Sequence, residues 1–166
     1  MSIWENKNLI KILKAGGVVI MPTDTIYGLV SQALNSTAVK NIFSLKKRDL
    51  KKPGITLIGS LEELKKFSII LSEKQEKLLK KYWPGPGSII LDCPVSKNFF
   101  DNNSLIVNKI EKTMAFRLPA STDLQNLLLE VGPLFSSSVN LEGLPPAQNI
   151  AEAKKYFGKE KLEERS

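Results

Sequence analysis

The sequence predicts a mixed α/β fold, a sheet covered by helices, in a single domain over residues 1–166. Segments with helical periodicity alternate with short apolar runs bounded by Gly and Pro, as expected of helices packed on a sheet. The 166 residues, 42% hydrophobic and 25% charged, are enough for one globular unit with a real core. Polar phrases gather where the predicted strands end, the usual place for a ligand in such sheets.

The elements follow in order. From Ile3 to Ala15, Trp4, Leu9, Ile10 and Leu13 recur at helical spacing, and Gly16-Gly17 stop the helix. Val18 to Met21 reads as a buried strand. A second helix starts at a Ser36 cap and runs to about Lys47, turning Val39, Ile42, Phe43 and Leu45 inward. Pro53-Gly54 separate it from a strand at Ile55 to Ile58. Ser60 with Glu63, and Ser72 with Gln75, have capping-box spacing, which predicts helices over 61–67 and 73–82. Trp83-Pro84-Gly85-Pro86-Gly87 cannot continue a helix and reads as a rigid corner. Strands are expected at Ser88 to Asp92, Leu105 to Val107, Thr113 to Leu118 and Leu134 to Val139, with helices near 123–130 and 150–157.

Composition removes several classes of function. With no histidine and a single cysteine, Cys93, the chain has neither histidine acid–base catalysis, nor a zinc site, nor an intramolecular disulfide. No apolar run approaches the roughly 20 residues that span a bilayer, and the polar N-terminus lacks a signal-peptide pattern. A cytoplasmic protein with no membrane partner is the expectation. The net charge of +7 is concentrated: residues 40–81 hold 12 Lys or Arg against 5 Asp or Glu. Most of these lysines read as a solvated helical surface, and a share could steer an anionic nucleotide or RNA. Only three basic residues are arginine, and two of them, Arg48 and Arg117, stand in polar phrases at element ends. A planar guanidinium fork grips carboxylate or phosphate with two parallel hydrogen bonds, which lysine cannot do.

Four phrases carry the chemistry, each with a plain structural alternative. Pro22-Thr23-Asp24-Thr25-Ile26-Tyr27-Gly28-Leu29 suits a small polar ligand, with Gly28 allowing close backbone approach, but composition alone favours a turn between two strands whose Asp24 and threonines satisfy local backbone groups. Lys46-Lys47-Arg48-Asp49 with Lys51-Lys52 could bring Lys46, Arg48 and Lys52 onto one phosphate-sized anion, or simply set cations at the negative end of a helix. In Thr113-Met114-Ala115-Phe116-Arg117, period-two alternation puts Thr113, Ala115 and Arg117 on one face. Arg117 there fits a ligand carboxylate or a structural ion pair with an Asp or Glu. Ser136, Ser138 and Asn140 share a face of the last strand and its exit, for ligand positioning or as polar packing on an edge. A hydrolase triad is disfavoured because no histidine can activate a serine. Neither GxxxxGK[ST] nor GxGxxG occurs, so nucleotide binding would need another arrangement.

Taken together and in order, PTDTIYGL, LKKR, WPGPGSIIL, MAFRLP and SSSVNLEGLPP resemble the YrdC/Sua5 family of threonylcarbamoyl-adenylate synthases, over residues 16–148. The chain is most similar to the family's short single-domain form. The resemblance implies a YrdC-like fold, a twisted open mixed sheet flanked by helices. It implies a nucleotidyltransferase in whose cleft L-threonine, bicarbonate or CO2, and ATP with Mg2+ form threonylcarbamoyl-AMP and pyrophosphate for modification of tRNA adenosine 37. The family's KxR phrase matches Lys46 and Arg48, the expected catalytic pair, and its SxN phrase matches Ser138 and Asn140. The same carry-over gives Arg48, Lys52, Thr113, Ser138 and Asn140 to ATP, and Thr25, Arg117 and Ser136 to threonine, with no dedicated metal ligands. Partners implied are the small-molecule substrates and the tRNA or pathway proteins that receive the adenylate. The chain departs from the pattern at Ala120-Ser121-Thr122, where many relatives carry a histidine two residues beyond the proline, at Asp49 for their KxRP proline, and at Gly87-Ser88 for their LT. Two other functions fit the lysine-rich fold: an RNA-binding or ribosome-associated module without synthase activity, and carbamoyl-adenylate chemistry on another acceptor.

Overall fold

The computed structural model describes residues 2–46, 54–93, 103–108, 110–140, 145–149, 151, 152 and 155. Six strands form one sheet: β1 (Val19–Pro22), β2 (Tyr27–Gln32), β3 (Ile55–Leu57), β4 (Ile89–Asp92), β5 (Thr113–Arg117) and β6 (Leu134–Ser138). Their order is β1-β2-β6-β3-β5-β4. β3 and β5 pair in parallel, and the other neighbours are antiparallel, so the sheet is mixed, as expected. Among the described residues, four helices with full bounds accompany it: α1 (Lys7–Lys14), α2 (Ser36–Lys46), α3 (Glu73–Leu79) and α4 (Thr122–Val131).

Alternation along the strands divides the core into two layers. On one face Ile20, Leu29, Met114, Phe116 and Phe135 pack against Val39, Ile42 and Phe43 of α2 and against Leu64, Phe67 and Leu79. Phe43 stacks on Phe135 with ring centroids 5.7 Å apart, and Phe67 meets Phe116 edge-on at 5.2 Å. The other face carries Val19, Met21, Val30, Leu57 and Leu134 beneath Leu9 and Leu13 of α1 and Leu124, Leu127, Leu128 and Val131 of α4. This second cover is partial. Over β4, β5 and the end of β6 it gives out: Ile90 is 66% exposed, while Thr113, Ala115, Ser136 and Ser138 are half-buried.

Local chemistry explains where the elements begin and end, and where they depart from the sequence-based expectation. The first helix is split. Ile3–Glu5 forms a 3-10 turn, and Asn6 then restarts the chain, its Oδ1 accepting from the amides of Asn8 and Leu9 at 2.9 and 3.2 Å. Gly16, at φ +82°, stops α1 in a conformation that side chains disfavour. The cap of α2 is Asn35, whose Oδ1 accepts from Ala38 N at 3.0 Å; Ser36 is instead the first helical residue. At α3 the expected capping box forms in both directions, Gln75 N to Ser72 Oγ and Ser72 N to Gln75 Oε1, and the helix ends at Leu79. Ser60 makes no side-chain cap bond, and Leu61–Phe67 is a 3-10 segment. The strand expected at Leu105 to Val107 is a 3-10 turn, Ser104–Ile106. Three apolar residues are too few to fix a strand, and Ile106 and Val107 are buried from the turn just as well. Of the helix expected near 150–157, residues 151, 152 and 155 are described, and they are helical.

Candidate active site

Strand register decides which polar side chains meet. Ser138 stands opposite Gly28, and Ser136 stands opposite both Val30 and Ile55. Ile55 and Leu57 stand beside Ala115 and Arg117, and Thr113 is opposite Asp92. Directly paired residues project to the same face. Thr113 and Arg117 of β5 therefore share the partly covered face with Ser136 and Ser138 of β6. Alternation within each strand predicts two polar faces; pairing through β3 makes them one.

Arg117 is the centre of this face, and it is 6% exposed. Its Nε donates to Asp24 Oδ1 at 3.1 Å, and its Nη2 reaches the same oxygen at 3.0 Å. Nη2 also lies 3.3 Å from Thr25 Oγ1, and Nη1 lies 3.4 Å from Ser88 Oγ. Asp24 and Thr25 belong to the loop between β1 and β2, whereas Arg117 ends β5. The ion pair thus spans β6 and β3, the two strands lying between β2 and β5 in the sheet.

The turn reading of the first phrase holds for Thr23 and not for Asp24. Thr23 closes the loop locally: its hydroxyl donates to Ile26 O at 2.6 Å and accepts from Thr25 N at 3.3 Å. Asp24 does not serve local backbone groups. Its Oδ1 takes Arg117, and its Oδ2 is buried with no hydrogen-bond partner. Gly28 keeps the floor open, because a Cβ there would stand 2.6 Å from Ser136 Oγ and 3.2 Å from Thr23 Cγ2.

Lys46 approaches from the other layer. Its side chain is buried at the end of α2, and its Nζ donates to Ser137 Oγ at 2.7 Å and Asn140 Oδ1 at 2.9 Å, and also to the Ser138 carbonyl. Ser138 Oγ in turn lies 2.7 Å from Asn140 Oδ1. Lys46 is thus joined to the Ser138 to Asn140 phrase, and its ammonium fixes the exit of β6. Arg48 and Lys52 lie outside the described residues.

A sequence model of the Sua5/YciO/YrdC family, described as telomere recombination, matches residues 11–162. The chain belongs to the Sua5/YciO/YrdC family. It is 31% identical over 146 residues to a putative threonylcarbamoyl-AMP synthase of Mycobacterium tuberculosis, covering 88% of this chain and 64% of that protein. It is 30% identical over 151 residues to the threonylcarbamoyl-AMP synthase of Cellvibrio japonicus, covering 89% of this chain and 75% of the relative. Among solved structures, Pyrococcus abyssi Sua5 complexed with L-threonine superposes with a TM-score of 0.78 at 30% identity, over 95% of this chain and 45% of that one. The chain therefore spans about two thirds of the mycobacterial relative and under half of the archaeal protein.

Within this Sua5/YrdC-type sheet, sequence reasoning placed Thr25, Arg117, Thr113, Ser136 and Ser138, and the fold brings them to one face. Asp24 and Ser88 escaped as partners of Arg117. Asp24 looks like turn chemistry in its own segment, and its partner is 93 residues away. The sequence's only signal was an unpaired acid beside a predicted ligand threonine. Cys93 belongs to no site: it is 2% exposed, its Sγ contacts Phe67 O at 3.3 Å, and burial pushes its pKa from 9.0 to about 11.

Proposed function

We propose that the chain is a threonylcarbamoyl-AMP synthase, a nucleotidyltransferase that joins L-threonine, bicarbonate or CO2, and ATP with release of pyrophosphate. The observation that carries this reading is Arg117, held with Asp24, Thr25 and Ser88 on the same uncovered face as Ser136, Ser138 and Thr113. A guanidinium between hydroxyls is the geometry for an amino-acid carboxylate. A hydroxyl-lined strand beside it suits a nucleotide. The likeness to the P. abyssi protein, itself crystallised with L-threonine, supports the same ligand here.

In this reading the neutral threonine amine adds to CO2 with loss of a proton, or to bicarbonate with loss of water, to give a carbamate, and a carbamate oxygen then attacks the α-phosphorus of ATP as pyrophosphate leaves. Such a reaction depends on alignment and charge neutralisation and requires no protein nucleophile. Arg117 and Thr25 with Ser136 would hold threonine. Thr113, Ser138 and Asn140 would line the nucleotide side, where the resemblance adds Arg48 and Lys52. Lys46 would set the Ser138 to Asn140 exit that the nucleotide meets. Among the described residues no three Asp, Glu or Cys side chains gather to hold a metal ion, so Mg2+ would enter bound to the ATP phosphates, as part of the substrate. The adenylate would pass to the machinery that modifies tRNA.

The test is incubation of the protein with ATP, Mg2+, bicarbonate and each amino acid in turn, with pyrophosphate and the adenylate measured by mass spectrometry. A threonine-dependent adenylate is expected. Its absence under all conditions would sink the synthase reading.

A further inference from the structure

Arg117 does not present a bare positive charge to its ligand. Nε and Nη2 both point at Asp24 Oδ1, at 3.1 and 3.0 Å, and the two side chains are only 7% and 10% exposed. At that burial the opposite charges screen each other little through water, so the field of one largely cancels that of the other for any third group. A simple carboxylate anion approaching Arg117 would meet a pair with no net charge.

The pair is also incompletely satisfied in a complementary way. Asp24 Oδ2 is buried and accepts nothing, although a buried acceptor without a donor carries the full cost of losing water. The guanidinium's outward contacts, Nη1 to Ser88 Oγ at 3.4 Å and Nη2 to Thr25 Oγ1 at 3.3 Å, are long for charge-assisted bonds, which run nearer 2.7–2.9 Å. One end of the pair needs a donor, and the other holds weak acceptors that a carboxylate would replace. A ligand with both groups on one carbon answers both needs.

Building on the reading of this face as an amino-acid site, we propose that Asp24 is the specificity-determining residue for the substrate's amino group. The α-carboxylate replaces the long hydroxyl contacts on Arg117, and the α-ammonium completes Asp24 Oδ2. Together the pair selects a zwitterion over an anion. Because Oδ2 is closed to water, the amino group reaches it with a shift of the Thr23–Ile26 loop that carries Asp24. Positioning Arg117 alone would leave no preference between an amino acid and its deaminated counterpart, which separates the two roles.

The experiment measures binding by calorimetry for a panel of α-amino acids and for two truncated forms of threonine: (R)-3-hydroxybutyrate, which lacks the amino group, and 1-amino-2-propanol, which lacks the carboxylate. Wild type should bind threonine at least tenfold more tightly than either. Asp24→Asn should lose at least tenfold in threonine affinity and bind (R)-3-hydroxybutyrate more tightly than wild type does, with a thermal melt reporting its folding. Equal weakening of both ligands in Asp24→Asn, or an unchanged ratio, would overturn the proposal. If Asp24→Asn does not fold, the wild-type arm decides: equal affinity for threonine and (R)-3-hydroxybutyrate refutes it. A wild type that prefers some other amino acid over its deaminated form supports the role of Asp24 while refuting the threonine reading.

Discussion

The two halves of one sheet face share β2 and β6 and differ in what covers them. Under α1 and α4, Val19, Val30, Leu57 and Leu134 meet a layer of leucines, and every one of these strand residues is at most 1% exposed. Two residues along the same strands, Gly28 of β2 and Ser136 of β6 meet no such layer, and neither do Thr113 and Arg117 of β5. Two-residue periodicity keeps the face constant while the cover changes, so β6 runs from buried Leu134 to half-buried Ser138 without a break. On the proposed reading of the open half as the amino-acid site, substitutions there should change ligand binding, whereas those in the closed half should change stability alone.

The largest effect is expected at Arg117. Replacement by alanine should weaken threonine binding on the order of 100-fold and leave ATP binding largely intact, because a buried pair loses one partner beside the amino-acid contacts. The stranded Asp24 carboxylate adds a stability loss of about 3–5 kcal/mol. Calorimetry with both ligands measures the division, and equal loss of threonine and ATP would refute it. Leu128→Ala, in the closed half, should cost about 2–5 kcal/mol in chemical denaturation and leave the threonine Kd unchanged in the folded protein. A parallel shift in Kd would mean that the halves are not independent.

Gly28→Ala probes the border between them. A methyl group 2.6 Å from Ser136 Oγ must push the hydroxyl aside, which predicts roughly tenfold weaker threonine binding and a stability cost of about 1–3 kcal/mol. Full threonine affinity would show that Ser136 is not a ligand contact. The smallest effect concerns the opposite layer. Because burial raises the Cys93 pKa from 9.0 to about 11, its stabilising contribution is complete below pH 9 and fades as pH rises toward 11. At pH 8 a thiol reagent should label Cys93 only on unfolding, with no change in ligand binding on the way; rapid labelling of native protein would contradict the packing.

Much of this plan is legible in the sequence because it is local. The α2 and α4 periodicities, the Ser72 capping box and the alternation in Thr113 to Arg117 each depend on neighbours within a few residues. What sequence alone misses is decided at a distance or by a near tie. Asn35 and Ser36 are both good caps, and only the backbone path selects Asn35. Leu105 to Val107 is apolar enough for a strand, yet it folds as a 3-10 turn and leads into Asn108, which makes an isolated bridge to Thr113. Asp24 reads as a turn residue because the loop is short, and its pairing with Arg117 is visible only once β2, β6, β3 and β5 are laid side by side. Arg117 itself was legible as the partner of an Asp or Glu, one of the two readings its phrase allows, and that ion pair forms with Asp24.

The place of β6 in the strand order also bears on how the molecule comes together. Within the sheet, β1 and β2 form a hairpin, and β3, β5 and β4 pair with one another, while β6, the last strand among the described residues, supplies the ladders that join the two pieces. Its pairing with β2 joins residues about a hundred positions apart, a late and slow kind of contact. The loop bearing Asp24 and the strand bearing Arg117 lie on opposite sides of β6 in the sheet, so their ion pair is aligned across a strand that comes late in the chain.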